Sequence, residues 1–144
     1  MKVGFTCSAF DLLHPGHTQM LREAKEQCDY LICGLQLAPY LDRPEKNHPV
    51  QTISERYMQL QAVKYVDEII PYISEYDLEK LIALVSPDVR ILGVEYKDKE
   101  FTGRKYCEEN GIELYFNKRG HTYSTTELRQ RVAIAEKMAG KTDA

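Results

Sequence analysis

The segment from residue 30 to residue 37, YLICGLQL, places the strongest constraint on the fold. It is almost continuously apolar and lacks the alternation of apolar and polar residues expected of a strand with one solvated face. Such a run is typical of a strand buried on both faces, as in parallel sheets covered by helices. Parallel neighbours need crossover connections, which are usually helical. We therefore expect an α/β fold.

Strand-like and helix-like segments alternate along the rest of the chain. Further β-type runs lie at residues 3–7, 68–72, 89–93 and 112–116. Helical patterns cover residues 15–28, 78–85, 100–110 and 125–138. A Thr-x-x-Glu capping box at residue 52 predicts the start of another helix. This interleaving predicts a five-stranded parallel sheet with helices on both faces. We expect one domain over residues 1–139 and a polar tail at residues 140–144.

Composition restricts the partners of the chain. Its 144 residues include 19 Lys and Arg against 22 Asp and Glu, a net charge of −3, whereas nucleic-acid surfaces need clustered cations. No apolar run reaches the roughly 20 residues that span a bilayer, and the first residues lack the layout of a signal peptide. The four cysteines form no Cys-x-x-Cys pair, which favours reduced thiols. We expect a cytoplasmic protein that binds neither nucleic acid nor membrane.

A histidine pair follows the first strand directly. His14 and His17 flank Pro15 and Gly16 at the start of the predicted helix. They could be a turn histidine and a packed histidine, or a zinc pair, although helical zinc motifs favour a spacing of four residues and need a third ligand. A helix start also binds phosphate through its N–H groups and dipole. Phosphate chemistry is preferred, because it alone explains the strand, the helix, the proline and the glycine together.

The string FDLLHPGH at residues 10–17 resembles the His-x-Gly-His signature of the nucleotidylyltransferase superfamily, in its cytidylyltransferase-like branch. Three further segments match in order. Residues 55–71 resemble a helix and strand of glycerol-3-phosphate cytidylyltransferases, residues 87–96 resemble the Gly-Asp-Asp/Tyr region, and residues 119–126 resemble the Arg-Thr-Glu-Gly-Ile-Ser-Thr-Thr signature. The likeness covers nearly the whole chain and implies a Rossmann-like fold.

The resemblance also implies a reaction. A phosphate oxygen of a small phosphorylated alcohol would attack the α-phosphate of a nucleoside triphosphate and displace pyrophosphate. The residues assigned to catalysis are His14, His17, Lys46 and Arg119. Those assigned to the nucleotide are Ser8, Ala9, Phe10, Gly16, Gly93, Glu95, Tyr96, Ser124, Thr125 and Thr126. Asp11 and Arg56 would bind the acceptor, and Mg²⁺ would be held through the nucleotide phosphates without a protein carboxylate cage.

Several of these residues have a structural alternative. Lys46 could simply belong to a solvated loop, and Arg56 could be a charge on the surface of a helix. Ser124 and Glu127 form a capping-box pattern, a role that can coexist with phosphate binding. The cations of the site are expected to converge on one cleft: Lys46, Arg56 and Arg119, with His14 and His17 added when they are protonated.

The identity of the nucleotide depends on which resemblance dominates. CTP is the first choice, because Arg56 and the segment at residues 66–68 resemble cytidylyltransferases. ATP is the second, because residues 96–103 resemble heptose-phosphate adenylyltransferases. Residues 94–95 and 120–122 depart from the family pattern where relatives form the base pocket. The resemblance implies a homodimer, and the alternative of another class is a nucleotide-binding module without turnover.

Overall fold

The computed structural model describes residues 1–45, 48–118 and 123–140, and it shows alternating strands and helices. The strands are β1 Val3–Ser8, β2 Tyr30–Gln36, β3 Glu68–Tyr72, β4 Val89–Gly93 and β5 Glu113–Asn117. The helices are α1 Pro15–Glu26, α2 Ile53–Gln61, α3 Glu75–Val85, α4 Arg104–Glu109 and α5 Thr125–Met138. Short 3₁₀ turns at Pro39–Leu41 and Val94–Tyr96 follow β2 and β4.

The five strands form one parallel sheet in the order β3-β2-β1-β4-β5. This confirms the Rossmann-like α/β fold. The chain runs outward from β1 to β3 and then returns to the other side of β1, so the strand order reverses between β1 and β4. In such sheets, ligands bind beyond the carboxyl ends of the strands at this reversal.

The core lies on both faces of the sheet. Leu21 and Ala24 of α1 and Leu60 of α2 are buried on one face against Leu31 and Ile91. The opposite face buries Leu78 and Ile82 of α3 and Cys107 of α4 against Phe5 and Ile32. Residues 31–36 of the YLICGLQL run are buried, because β2 has a paired strand on each side and helices above and below. Leu37 follows the end of β2 and is exposed. All four cysteines are free thiols.

The helix boundaries follow local chemistry. Thr52 accepts from the Glu55 backbone, and the Glu55 side chain accepts from Thr52, so the predicted capping box is present. The predicted helix at residues 100–110 is shorter, because Gly103 adopts a left-handed φ of 86° and α4 begins only after it. Gly111, with a left-handed φ of 68°, follows the end of α4, where a glycine commonly terminates a helix. Within the described residues, no helix is long and apolar enough to cross a membrane.

Arg56 of α2 is buried, with 2% of its surface exposed. Its guanidinium donates to the carbonyls of Ala9, Gln36, Leu37 and Gln51 at distances of 2.6–3.1 Å. The alternative that Arg56 is a charge on a helix surface is therefore wrong. Burial lowers the pKa of this guanidinium and the nearby Asp11 carboxylate opposes the shift. One side chain thus ties α2 to the carboxyl ends of β1 and β2.

Replacing Arg56 by methionine should lower the free energy of unfolding by about 3 kcal/mol or more, because four carbonyls lose their donor. Urea denaturation of Arg56→Met measures the loss. Arg131→Met, on the exposed surface of α5, is the matched control and should change stability by less than about 0.5 kcal/mol. Equal midpoints and slopes for the two variants would contradict the assigned role of Arg56.

Candidate active site

A cavity of about 590 Å³ lies at the carboxyl end of the sheet, where the strand order reverses. Its wall is formed by the loop after β1, the start of α1, the segments after β2, β4 and β5, and the start of α5. This volume is typical of sites for small molecules.

Most of the site residues assigned from the sequence line this cavity. They are Ser8, Ala9, Phe10, Asp11, His14, Gly16, His17, Gly93, Glu95, Tyr96, Ser124, Thr125 and Thr126. Arg56 is not among the lining residues, because its guanidinium is turned toward the four carbonyls beneath the loop. Lys46, Arg119 and residues 120–122 lie outside the described residues.

His14 and His17 cap the start of α1 reciprocally. The Gly16 backbone N–H donates to His14 Nδ1 at 3.0 Å, and the His14 backbone N–H donates to His17 Nδ1 at 3.2 Å. The two ring centroids lie 4.0 Å apart. Because Nδ1 of each ring accepts a hydrogen bond, the proton of each neutral ring lies on Nε2. The pair therefore builds the helix start and also presents a defined tautomer.

His17 is a neutral donor rather than a cation at neutral pH. Burial is the main cause that lowers its pKa from an ordinary 6.5 to about 4; the neighbouring His14 lowers it further, and Asp11 acts in the opposite direction. His17 would therefore act through its N–H group as a neutral hydrogen-bond donor, and it would count among the cations of the site only at low pH. Protonation at Nδ1 would also remove the hydrogen bond that caps the helix.

The His14 ring leaves no room for a side chain at position 16. A Cβ at this position would lie 2.7 Å from His14 Cε1 and 3.0 Å from His14 Nδ1. Such contacts are too short for any larger side chain unless the ring moves. The absence of a side chain at Gly16 therefore makes room for His14, and the role of Gly16 in nucleotide binding stays a prediction.

Asp11 fixes the loop after β1. Its carboxylate accepts from the backbone N–H groups of Val50 and Gln51 at 2.8 and 2.9 Å. The residues on either side, Phe10 and Leu12, both have a left-handed φ of 49°, a conformation that costs non-glycine residues energy. A role for Asp11 in acceptor binding stays a prediction.

The start of α5 closes the cavity from another side. Ser124 Oγ accepts from the Glu127 backbone N–H at 3.0 Å, which is one half of the capping box that the sequence predicts. Thr125 Oγ1 donates to the Asp11 carbonyl at 3.2 Å. This bond joins the last helix to the loop after β1, residues that are more than a hundred positions apart in the chain.

Some lining residues were missed from the sequence. They include Arg43, Arg90, Asn117, Lys118 and Arg129. Arg129 lies one helical turn after Thr125, so the period of α5 could have revealed it. Arg43 donates a hydrogen bond to Tyr96, which raises the pKa of Arg43, and this contact across the cavity has no signal in the sequence.

The charges of the cavity wall are partly satisfied within the protein. Glu23 of α1 accepts from Tyr115 Oη and from the Lys118 backbone N–H, both at 2.9 Å. Across residues 1–45, 48–118 and 123–140, no three His, Cys, Asp or Glu side chains are grouped to hold a metal ion.

Comparison with known proteins identifies relatives of this chain. The chain is 34% identical over 140 residues to bifunctional protein HldE of Hydrogenovibrio crunogenus, covering 94% of this chain and 28% of that protein. It is 35% identical over 109 residues to bifunctional protein HldE of Helicobacter hepaticus, covering 75% and 22%. This chain therefore spans about a quarter of the length of these relatives.

A solved structure shares the fold. The lipopolysaccharide core biosynthesis protein from Thermoplasma volcanium superposes with a TM-score of 0.69 at 23% identity, over 84% of this chain and 99% of that chain. The family model described as cytidylyltransferase-like matches residues 5–131. The chain belongs to the cytidylyltransferase-like family of nucleotidylyltransferases.

Proposed function

We propose that this chain transfers an adenylyl group from ATP to the phosphate of a sugar phosphate and releases pyrophosphate. The proposal is supported by where the fold places two sets of residues, one resembling adenylyltransferases and the other resembling cytidylyltransferases. Three residues of the segment resembling adenylyltransferases line the cavity. The set resembling cytidylyltransferases is engaged in holding the fold together.

The adenylyltransferase-like segment at residues 96–103 places Tyr96, Phe101 and Thr102 in the cavity wall. Phe101 packs edge-on against Tyr96, with ring centroids 6.3 Å apart. Aromatic side chains at a cavity wall suit the flat face of a base or sugar.

The cytidylyltransferase-like residues have other partners. The Arg56 guanidinium donates to four backbone carbonyls and does not line the cavity. Asp67 accepts from Lys25 Nζ of α1 and from the Leu31 backbone N–H of β2. These contacts weaken the case for CTP and glycerol phosphate, which rested on these residues.

The names of the relatives also give no support to a glycerol-phosphate cytidylyltransferase. Both matched proteins are named HldE, and neither is a glycerol-phosphate cytidylyltransferase by name. Their names describe bifunctional proteins, and this chain matches only about a quarter of each. The proposal accordingly concerns one reaction and not the activity of a whole relative.

In this reaction, an acceptor phosphate oxygen bonds to the α-phosphorus while the bond to the departing pyrophosphate breaks. Negative charge accumulates on the α-phosphate oxygens, and the imidazole Nε2–H groups of His14 and His17 donate to them. The backbone N–H groups in the first turn of α5 and the cation of Arg129 bind the remaining phosphate oxygens. No covalent intermediate is required.

Mg²⁺ remains part of the proposal. Beside a nucleotide it keeps most of its ligands from phosphate and water, which fits a wall without a grouped carboxylate set in the described residues. When bound, it would neutralise charge on the phosphates. The homodimer and the cytoplasmic location also remain predictions.

A pyrophosphate-release assay tests the reaction. With Mg²⁺, ATP and a panel of sugar phosphates should give turnover, and CTP with glycerol phosphate should give much less. The reverse ranking would restore the cytidylyltransferase reading, and tight nucleotide binding without any turnover would indicate a binding module. His17→Asn keeps an acceptor for the His14 N–H and should lower kcat by roughly 10²–10³ with little change in the Kd for ATP.

The low pKa of His17 predicts a pH dependence of stability. The unfolded ring takes a proton near pH 6.5, whereas the folded ring resists protonation until about pH 4. The unfolded state therefore binds more protons in this window. The free energy of unfolding should fall from pH 6.5 to pH 4 by an amount on the order of 3 kcal/mol.

Urea denaturation at several pH values measures this fall in the wild type and in His17→Asn. Carboxylates titrate in both proteins, so the difference between the two curves isolates His17. The variant should lose less stability as the pH falls from 6.5 to 4. Parallel curves would show that His17 does not titrate in this way.

A further inference from the structure

Asn117, the last residue of β5, has an unexplained side chain. It is 5% exposed, and neither its amide nitrogen nor its amide oxygen has a hydrogen-bond partner. Buried amides are normally hydrogen-bonded, because an unmade bond leaves the full cost of removing the group from water. Asn117 also lines the cavity.

The register of the sheet gives the direction of this side chain. Side chains alternate along a strand, so Asn117 lies on the same face as Tyr115, which packs against the core on the α1 side. Across the sheet Asn117 pairs with Gly93, which has no side chain. The space above Gly93 is instead approached by the Glu95 carboxylate, whose Oε2 lies 2.4 Å from where a Cβ of Gly93 would be. An amide and a carboxylate therefore flank one spot at the carboxyl end of β4 and β5.

Among the described residues, Arg90 is the other buried residue with an unpaired side-chain atom. Its environment differs from that of Asn117. Only its Nε lacks a partner; the guanidinium donates to the Thr102 carbonyl and lies 5.0 Å from the centre of the Phe101 ring. Arg90 pairs across the sheet with Leu114, on the opposite face from Asn117. Arg90 thus has a structural role, whereas the polar atoms of Asn117 have none.

We propose that Asn117 binds the edge of the nucleobase. Its amide nitrogen donates to a ring nitrogen, and its amide oxygen accepts from an exocyclic amino group. A neutral amide suits an uncharged base, while the phosphates are drawn to the helix starts and to Arg129. The Glu95 carboxylate only accepts hydrogen bonds, so it disfavours bases with a carbonyl oxygen at that edge. The inference rests on the proposed nucleotide chemistry and narrows it to bases that present an acceptor ring nitrogen beside an amino group, as adenine and cytosine do; uracil is excluded.

Replacing Asn117 by leucine, which has the same shape without polar atoms, separates binding from folding. Without nucleotide, Asn117→Leu should melt higher than the wild type by roughly 4 °C, because two unsatisfied polar groups are removed. Its Kd for ATP, measured by calorimetry, should be about tenfold to a hundredfold weaker. A structural amide would give the opposite pattern, with a lower melting temperature and an unchanged Kd. If Asn117→Leu does not fold, Asn117→Ala carries the same binding measurement.

Ligand variants show which part of the nucleotide Asn117 contacts. Purine riboside triphosphate lacks the amino group of ATP; the wild type should bind it about tenfold more weakly than ATP, and Asn117→Leu should bind both nearly equally. Inorganic tripolyphosphate should bind wild type and variant alike. Equal losses for tripolyphosphate and ATP would move the contact to the phosphates and overturn the proposal.

The matched control is Asn110→Leu, an exposed asparagine at the end of α4 that does not line the cavity. It should leave the Kd for ATP unchanged. A wild type that binds ATP without turnover would refute the proposed function and leave the role of Asn117 standing. A wild type that binds ATP as tightly as Asn117→Leu would refute only the role of Asn117, and a wild type that binds neither ATP nor CTP would refute both.

Discussion

The cavity keeps its shape because two oppositely charged side chains hold the loop after β1 to the segment before α2. Asp11 accepts from the backbone of Val50 and Gln51, and Arg56 donates to the carbonyls of Ala9 and Gln51. Between these ties the chain sustains left-handed backbone at two non-glycine residues, a strain that persists only where surrounding contacts determine it. The position of His14, and with it the start of α1, depends on this loop. The charges of Asp11 and Arg56 are therefore used first to fix geometry, and the chemistry proposed for the site is built on top of them.

The histidine pair shows how one set of atoms can serve structure and chemistry together. Each ring uses Nδ1 to cap the helix, which leaves the proton on Nε2. Burial keeps His17 neutral, so its strength as a donor comes from a fixed position in a shielded site rather than from charge. A neutral donor suits a phosphoryl group whose charge grows during the reaction, because no proton has to be taken up or released. The net charge of −3 is also compatible with this site, since the acidic groups Asp11 and Glu23 accept hydrogen bonds from backbone N–H groups of the protein.

Local patterns in the sequence predicted the fold well, because they depend on neighbours in the chain. The apolar run of β2, the capping box of α2 and the five-strand alternation all appear in the structure as expected. The features that the sequence did not reveal depend on distant contacts. Arg56 lies among the apolar positions of α2, yet its partner at Ala9 is 47 residues away, and no spacing rule indicates such a pairing. Arg43 and Tyr96 meet across the cavity for the same reason. The histidine motif was found because its residues lie close together in the chain. Asn117 was missed because its lack of hydrogen-bond partners is visible only when its burial is known.

The unpaired amide of Asn117 and the low pKa of His17 have a common physical basis. Both are polar groups at the cavity wall that the unliganded protein keeps in an unfavourable environment, one without hydrogen bonds and the other unable to take a proton. A core under selection for stability alone would place apolar residues at such positions. Groups of this kind gain most from a ligand, because a hydrogen bond made to a buried, unsatisfied atom recovers a cost already present in the free protein. Asn117 and His17 therefore reduce the stability of the unliganded fold. A bound nucleotide would increase the stability of the fold most at these two positions. On this argument ligand binding should stabilise the carboxyl end of β5 and the start of α1 more than the opposite edge of the sheet, where β3 contributes no such group among the described residues.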